Sequence, residues 1–292
     1  MEGQVSTPDG LTLHWRRWPA EGSSRGCVQI VHGLGEHGGR YEHVAATLTD
    51  SGWDVLAHDL RGHGRSEGRR GVIADSQAML SDVALVMDAG RSLSGPHVLL
   101  GHSMGGLIAA RFVGEQLATR PAAWSREVDG LVLSSPALDL GMNAGQKLLL
   151  SLLGRVAPDL AVGNGLKPAW ISRDPAVVQA YRGDPLVHDR VTPRLVRFLL
   201  DGGEAVRQRA AHWTVPTLLL WAGADRCVAP AGSAALAVAA PPKVLSAKVF
   251  PGLFHEIFNE PEKAQVLARL SAWLVTLQAL NSSSSLTRRS GT

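Results

Sequence analysis

The pentapeptide Gly101-His102-Ser103-Met104-Gly105 lies between a strand-like run, Val98-Leu99-Leu100, and a helix-like stretch over about 105–118. A strand that passes straight into a helix has to turn sharply there. Glycine at the flanking positions lets the two backbones pass closely. The strained turn lifts the Ser103 hydroxyl clear of the sheet. It also points the Met104 N–H at the same spot, from a helix N-terminus. The plain alternative is a glycine-rich turn with an incidental serine, against which the strand–turn–helix setting favours a nucleophile.

The same strand–helix rhythm runs through most of the sequence. Val5 and Leu11-Thr12-Leu13-His14-Trp15 flank the turn signal Thr7-Pro8-Asp9-Gly10 and predict an N-terminal hairpin. Cys27-Val28-Gln29-Ile30-Val31, Trp53 to Ala57, Leu131-Val132-Leu133, Thr217 to Trp221 and Lys248-Val249-Phe250 read as further strands. Helix-length segments lie at about 41–51, 75–92, 231–239 and 261–280. The pattern predicts an α/β fold: a mostly parallel central sheet with helices on both faces. Between 138 and 213 the rhythm breaks and no strand is evident. Helical spacing appears from Ala144 to Val156 and from Thr192 to Ala211. This reads as a helical insertion seated over the ligand crevice at the carboxyl ends of the strands. The body then comprises 1–137 and 214–280. The Ser-rich stretch 281–292 is expected to be a disordered tail.

Hydrophobic residues make up 45% of the 292 and charged ones 19%, which excludes a wholly disordered chain. Two cysteines, Cys27 and Cys227, exclude a disulfide scaffold. The net charge of +3 includes Arg288 and Arg289 of the tail, so no clustered basic surface suggests nucleic acid. No run approaches the ~20 apolar residues that span a bilayer. The N-terminus lacks the features of a signal peptide. The expectation is a soluble, cytoplasmic protein with reduced thiols.

A serine hydroxyl is a weak nucleophile until a base takes its proton. The strand–helix arrangement asks for an acid and then a histidine, each after a later strand. Asp225 follows the strand ending at Trp221, and His255 follows the strand ending at Phe250. The alternatives are a helix-capping aspartate and a surface histidine. Both residues falling at strand ends in the required order favours a triad of Ser103, Asp225 and His255. His212 precedes its strand, and His188 and Asp201 lie in the insertion. His102 is expected to be structural, on another face of the turn.

After the strand at 27–31 comes His32-Gly33-Leu34-Gly35-Glu36-His37-Gly38. Gly33, Gly35 and Gly38, with Asp59 about 20 residues further on, also fit a dinucleotide fingerprint. That NAD-linked oxidoreductase reading leaves Ser103, Asp225 and His255 without a role, and Asp59 runs into a compact turn, Arg61-Gly62-His63-Gly64. Under the hydrolase reading, the loop supplies the second N–H donor for a tetrahedral oxyanion, at Leu34, beside Met104. Metal readings fail on spacing. His32 and Glu36-His37 are one residue too far apart for a zincin helix, and Glu256 is followed by no second histidine.

With these residues the chain resembles the α/β-hydrolase fold family, and more narrowly the monoacylglycerol lipase and lysophospholipase group. His32 to Tyr41, Asp59-Leu60-Arg61-Gly62-His63-Gly64-Arg65-Ser66, Gly101 to Gly106, the surroundings of Asp225 and His255, and Asp184-Pro185-Leu186-Val187 carry the resemblance, over about residues 5–278. It implies ester hydrolysis through an acyl-enzyme on the Ser103, Asp225 and His255 triad. Leu34 and Met104 would be the oxyanion donors and 138–213 the cap, with no cofactor. A lysophospholipase, a general carboxylesterase and a non-catalytic ligand-binding relative are the neighbouring alternatives.

Leu148, Leu149, Leu152 and Leu153 form an apolar helix face in the insertion. They pack as core, or line an acyl channel, or face a lipid surface that the cap touches transiently. Few Lys or Arg lie nearby to hold an anion, so a neutral acyl ester is the expected substrate. Cys227, two residues after Asp225, is expected beside the triad loop and open to bulky thiol reagents, unless it is buried and inert.

Overall fold

Alternating side chains decide how the strands are buried. Val28, Ile30, Val98, Leu100, Val132, Leu218 and Leu220 share one apolar cluster, whereas Val31, Leu99, Leu131, Leu133 and Leu219 belong to another on the opposite face. A sheet apolar on both faces needs a layer of helices on each side. The computed structural model describes residues 1–90 and 95–289, with 280–289 as backbone alone, and has this three-layer arrangement.

In chain order the elements are β1 (Glu2–Ser6), β2 (Thr12–Trp18), β3 (Cys27–Val31), α1 (Glu42–Asp50), β4 (Asp54–His58), α2 (Ala78–Ala89), β5 (His97–His102), α3 (Met104–Glu115) and β6 (Gly130–Ser134). Then follow α4 (Ala144–Val156), β7 (Val162–Gly163), α5 (Pro175–Gly183), β8 (Arg190–Val191), α6 (Pro193–Arg209), β9 (Thr217–Ala222), α7 (Pro230–Ala239), β10 (Leu245–Phe250) and α8 (Lys263–Arg289). Eight strands form one sheet in the order β1-β2-β4-β3-β5-β6-β9-β10. From β4 to β10 the neighbours are parallel, while β1, β2 and β4 pair antiparallel. This is the α/β-hydrolase fold. The N-terminal hairpin and the six later strands match the sequence reading.

Helices α1 and α8 cover one face through Val44, Leu48, Val266, Leu270 and Leu274. Helices α2, α3, α6 and α7 cover the other. The chain steps outward from β3 to β4 and returns on the other side of β3 at β5. Connections leaving the carboxyl ends of β3 and β5 therefore diverge and open a crevice between them.

Three parts differ from the sequence reading. In the insertion, β7 and β8 make a two-stranded antiparallel ladder. Two residues per strand are too few to leave an alternation in the sequence. Helix α5 is the second difference: with 9 residues it is too short for a helical period to stand out in the sequence. Its start is legible in retrospect: Pro175 opens the helix, and Asp174 accepts a hydrogen bond from the Ala176 N–H. Finally, the tail expected to be disordered from 281 continues α8 to Arg289. Asn281 and four serines cost some helix propensity, but no Gly or Pro stops the helix there. Residues 290–292 of that expected tail lie outside the described residues.

Only part of the insertion stands apart from the body. Leu195, Phe198, Leu199 and Val206 of α6 are buried in the cluster built on α3. In α4, by contrast, Leu150 alone is buried.

Opposite sides of α8 make the packing testable. Leu270 is fully buried and Val275 is 60% exposed. Leu270→Ala is expected to cost about 2–5 kcal/mol in denaturant unfolding. Val275→Ala should stay within about 0.5 kcal/mol.

Candidate active site

The Ser103 backbone sits at φ 54° and ψ −120°, a region few non-glycine residues adopt. Its neighbours hold it there. Its N–H donates to the Ser134 carbonyl at 3.0 Å, and its own carbonyl accepts from Leu107 and Ala137. The turn tolerates no side chain at the flanking glycines. A Cβ on Gly105 would run into the carbonyl oxygens of Val31 and His32, and one on Gly101 into the Gly105 carbonyl.

Asp225 and His255 arrive from the ends of β9 and β10, as the order of the sheet dictates. His255 Nε2 lies 2.8 Å from Ser103 Oγ, and Nδ1 lies 2.7 Å from Asp225 Oδ2. With Asp225 ionised, Nδ1–H is the donor and Nε2 is left to accept the serine proton. The other Asp225 oxygen accepts from the N–H groups of Cys227 (2.8 Å) and Val228 (3.1 Å). Burial works against ionisation of Asp225, but His255 and these two amides outweigh it and hold the carboxyl below its ordinary range. Burial also disfavours a charged His255. The charge and hydrogen bond of Asp225, with Glu256 and Glu36 nearby, overcome this and raise the imidazole above its ordinary 6.5.

The loop after β3 is braced by a buried ionic network. Glu36 Oε1 accepts from the Gly33 N–H (2.6 Å) and the Tyr41 hydroxyl (2.7 Å). Its Oε2 accepts from Arg40, which also forks onto Glu256 at 2.6 and 2.8 Å. Arg40 thereby ties the Leu34 loop to the segment carrying His255. The Arg40 guanidinium lies over the Tyr181 ring of the insertion, 4.9 Å from its centroid. Leu34 borders the cavity above Ser103, and Met104 opens α3 beside it. Single sequence motifs could not have revealed the role of Glu36 and Glu256, because their partners are set by the fold.

That cavity has a volume of about 420 Å³. Its floor includes Ser103, His255, Gly33, Leu34 and Glu36, and its roof comes from the insertion: Leu166, Ile171, Tyr181, Val187 and His188. Lys167 and Arg182 also line it, more basic residues than the sequence reading placed there, offset by Asp184, Asp189 and Glu256.

Other candidates fall as follows. His102 is structural, with Nδ1 3.1 Å from the Ser134 carbonyl and hydroxyl, yet it also lines the cavity, its ring 4.8 Å from that of His255. Burial and the adjacent His255 push its imidazole down to about 4, so it stays neutral. Cys227 borders the cavity, as its position beside Asp225 suggested. Burial, Asp225 and Glu256 push its thiol upward, which keeps it protonated and slows alkylation. Leu148, Leu149, Leu152 and Leu153 are not among the cavity-lining residues. They are 36–64% exposed on the outer side of α4, so they neither pack as core nor border this cavity. Sequence periodicity shows that a helix has an apolar face and not what that face meets.

The dinucleotide and zincin readings of the glycine-rich loop have no room. Asp59 is buried and accepts from the Gly38 and Arg65 N–H groups, so its carboxylate faces the chain rather than a ribose. Both ring nitrogens of His32 are engaged, Nδ1 with the Gly33 carbonyl and Nε2 with the Leu60 N–H.

A family pattern described as serine aminopeptidase, S33, matches residues 22–262. The chain belongs to this family. A monoacylglycerol lipase of Mycolicibacterium smegmatis is 36% identical over 272 residues, covering 91% of this chain and 94% of the relative. A phospholipase of Bacillus subtilis is 33% identical over 249 residues, covering 84% and 93%. Among solved structures, the monoacylglycerol lipase of Paleococcus ferrophilus superposes with a TM-score of 0.81 at 33% identity, covering 91% of this chain and 99% of that one.

The Asp225–His255 pairing sets the sign of a titration. His255 is a cation below its raised midpoint and cannot then accept a proton from Ser103; it becomes a base as pH rises through that midpoint. NMR titration of the ring is expected to give a midpoint above 6.5. Asp225→Asn should lower it. A midpoint at or below 6.5 in the unaltered protein contradicts the pairing.

Proposed function

We propose that this protein is a serine esterase that hydrolyses neutral esters of apolar acyl groups, with monoacylglycerols as the leading substrate class. One observation carries the reading: an unbroken carboxylate–imidazole–hydroxyl chain, with links of 2.7 and 2.8 Å, on the floor of a roofed cavity. His255 takes the Ser103 proton as Oγ attacks the ester carbonyl. Asp225 holds the imidazole in the required tautomer and stabilises the imidazolium. The N–H groups of Leu34 and Met104 receive the oxyanion, a contribution of about 10²–10³ in rate per donor. The protonated His255 then gives its proton to the leaving alcohol, and water repeats the sequence on the acyl-enzyme.

Charge supports a neutral head group. Glu36, Glu256, Asp184 and Asp189 surround the cavity against Lys167 and Arg182, and Glu36 and Glu256 already share Arg40. A phosphate would meet more repulsion than attraction. The likeness to a bacterial phospholipase supports lysophospholipids as the second reading. The identity to monoacylglycerol lipases over nearly the whole chain supports the first.

The exposed leucines of α4 fit a lipid-facing role. Burying one such side chain contributes on the order of 1–2 kcal/mol, and four together suffice for reversible contact with a lipid surface. Among the described residues no helix is long and apolar enough to cross a membrane. Cys27 and Cys227 are unpaired, which suits the cytoplasm.

A fluorophosphonate probe is expected to label the unaltered protein and to leave Ser103→Ala unlabelled. If the folded, unaltered protein is not labelled, the esterase reading is wrong. Rates should be higher on glycerol monoesters than on lysophospholipids of the same acyl chain; the reverse order selects the second reading. Replacing Leu148, Leu149, Leu152 and Leu153 by serine should abolish sedimentation with phosphatidylcholine vesicles while hydrolysis of a short soluble ester continues. Unchanged sedimentation removes the lipid-surface role.

A further inference from the structure

The Asp225 loop brings a third donor to the carboxylate–imidazole pair. Asp225 Oδ1 accepts from the Cys227 N–H, which folds the chain back so that the thiol returns toward the carboxylate. A carboxylate oxygen of Asp225, Sγ of Cys227 and a ring nitrogen of His255 all lie within 4.8 Å of one another. Bonds of about 2.0–2.3 Å in a tetrahedral site put ligands roughly 3.3–3.8 Å apart, so small side-chain shifts would close the cluster on one ion. The cluster has an entry path, because Cys227 and His255 both line the cavity. The two cysteines lie too far apart in the sequence to form a ligand pair; the sheet brings His255 to Asp225 and Cys227 from the end of the next strand.

We infer that Asp225, Cys227 and His255 form an inhibitory site for a borderline-soft divalent cation, of which zinc is the type. The thiolate and imidazole donors discriminate against magnesium and calcium, which prefer all-oxygen sites. On binding, the Cys227 thiol releases its proton to solvent and Sγ bonds the cation. The Asp225 carboxylate bonds it through an oxygen. His255 bonds it through the ring nitrogen that faced Asp225, and the proton of that nitrogen moves to Nε2. The cation takes the place of the hydrogen-bonding proton between Asp225 and His255, and no electron is transferred. The carboxylate and thiolate neutralise the two positive charges, and Glu256 and Glu36 add attraction to a cation at this place. Inhibition follows because a protonated Nε2 cannot accept the Ser103 proton. That half of the inference rests on the proposed esterase chemistry; cation binding does not.

Cobalt(II) serves as the spectroscopic probe, titrated into Ser103→Ala so that turnover plays no part. A thiolate-to-cobalt absorption band in the near ultraviolet is expected, displaced by zinc and missing from Ser103→Ala carrying Cys227→Ser. In the unaltered chain, zinc is expected to shield Cys227 from alkylation, read by mass spectrometry, which needs no substitution at the site. On the esterase, Cys227→Ser should raise the zinc concentration for half-inhibition by about 100-fold or more, a direct ligand being worth at least as much as the partners behind it. Absence of the thiolate band, an unshielded Cys227, or equal inhibition with and without the thiol overturns the site. Cobalt binding without any hydrolysis by the unaltered chain instead overturns the esterase reading and leaves the site standing.

Discussion

Val31 of β3 and Gly101 of β5 are register partners in adjacent parallel strands, and the chain leaves both at the same edge of the sheet. The approach is close enough that Gly105 packs its Cα against the carbonyls of Val31 and His32. A bulkier residue would push Ser103 away from the Leu34 loop. The candidate nucleophile and the candidate oxyanion donor therefore owe their proximity to backbone contact between two strands. Side-chain bonds then refine it. The strained φ of Ser103 persists because β6 holds it, through the Ser134 carbonyl, and α3 continues from it without a break.

Charge around His255 is arranged with equal economy. Burial alone would make the imidazole hard to protonate and Asp225 hard to ionise. Each opposes the other's penalty: the imidazole helps keep Asp225 ionised, and the carboxylate makes His255 easier to protonate. Glu36 and Glu256 would be costly carboxylates so close to the site, were Arg40 not forked between them. The same arginine couples the Leu34 loop to the His255 segment, and its contact with Tyr181 extends that coupling to the roof.

The roof is fastened unevenly. Its second half is pinned to the body: His37 Nε2 is 2.8 Å from Asp184, the His188 N–H donates to the Gly35 carbonyl, and the Thr192 hydroxyl donates to the Gly71 carbonyl. Ser172 and Arg173 are held by the buried carboxylate of Glu260. Helix α4 has none of these ties to the cavity floor and buries only Leu150. A rigid half thus shapes the cavity, while an apolar half is turned toward the surroundings.

Much of this was legible in the chain. The Gly-x-Ser-x-Gly turn, the strand-end placement of Asp225 and His255, and the short apolar runs are local patterns, and local sterics and burial determine them. The strands, the hairpin and most helices follow from them. What the sequence could not carry was the partner of each side chain. Nothing near Glu36 announces Arg40 and Glu256 as one network, and nothing near Leu148 says that its helix face meets solvent. The short β7–β8 ladder has no period to read, and the continuation of α8 through a serine run lies near the balance of propensity. The sequence by itself determined which residues could react and in what order the sheet would present them, because backbone geometry and apolar periodicity act over a few residues. Only the tertiary structure decided which of them touch, because contact between residues as distant as 103, 225 and 255 depends on strand order and packing summed over the whole sheet.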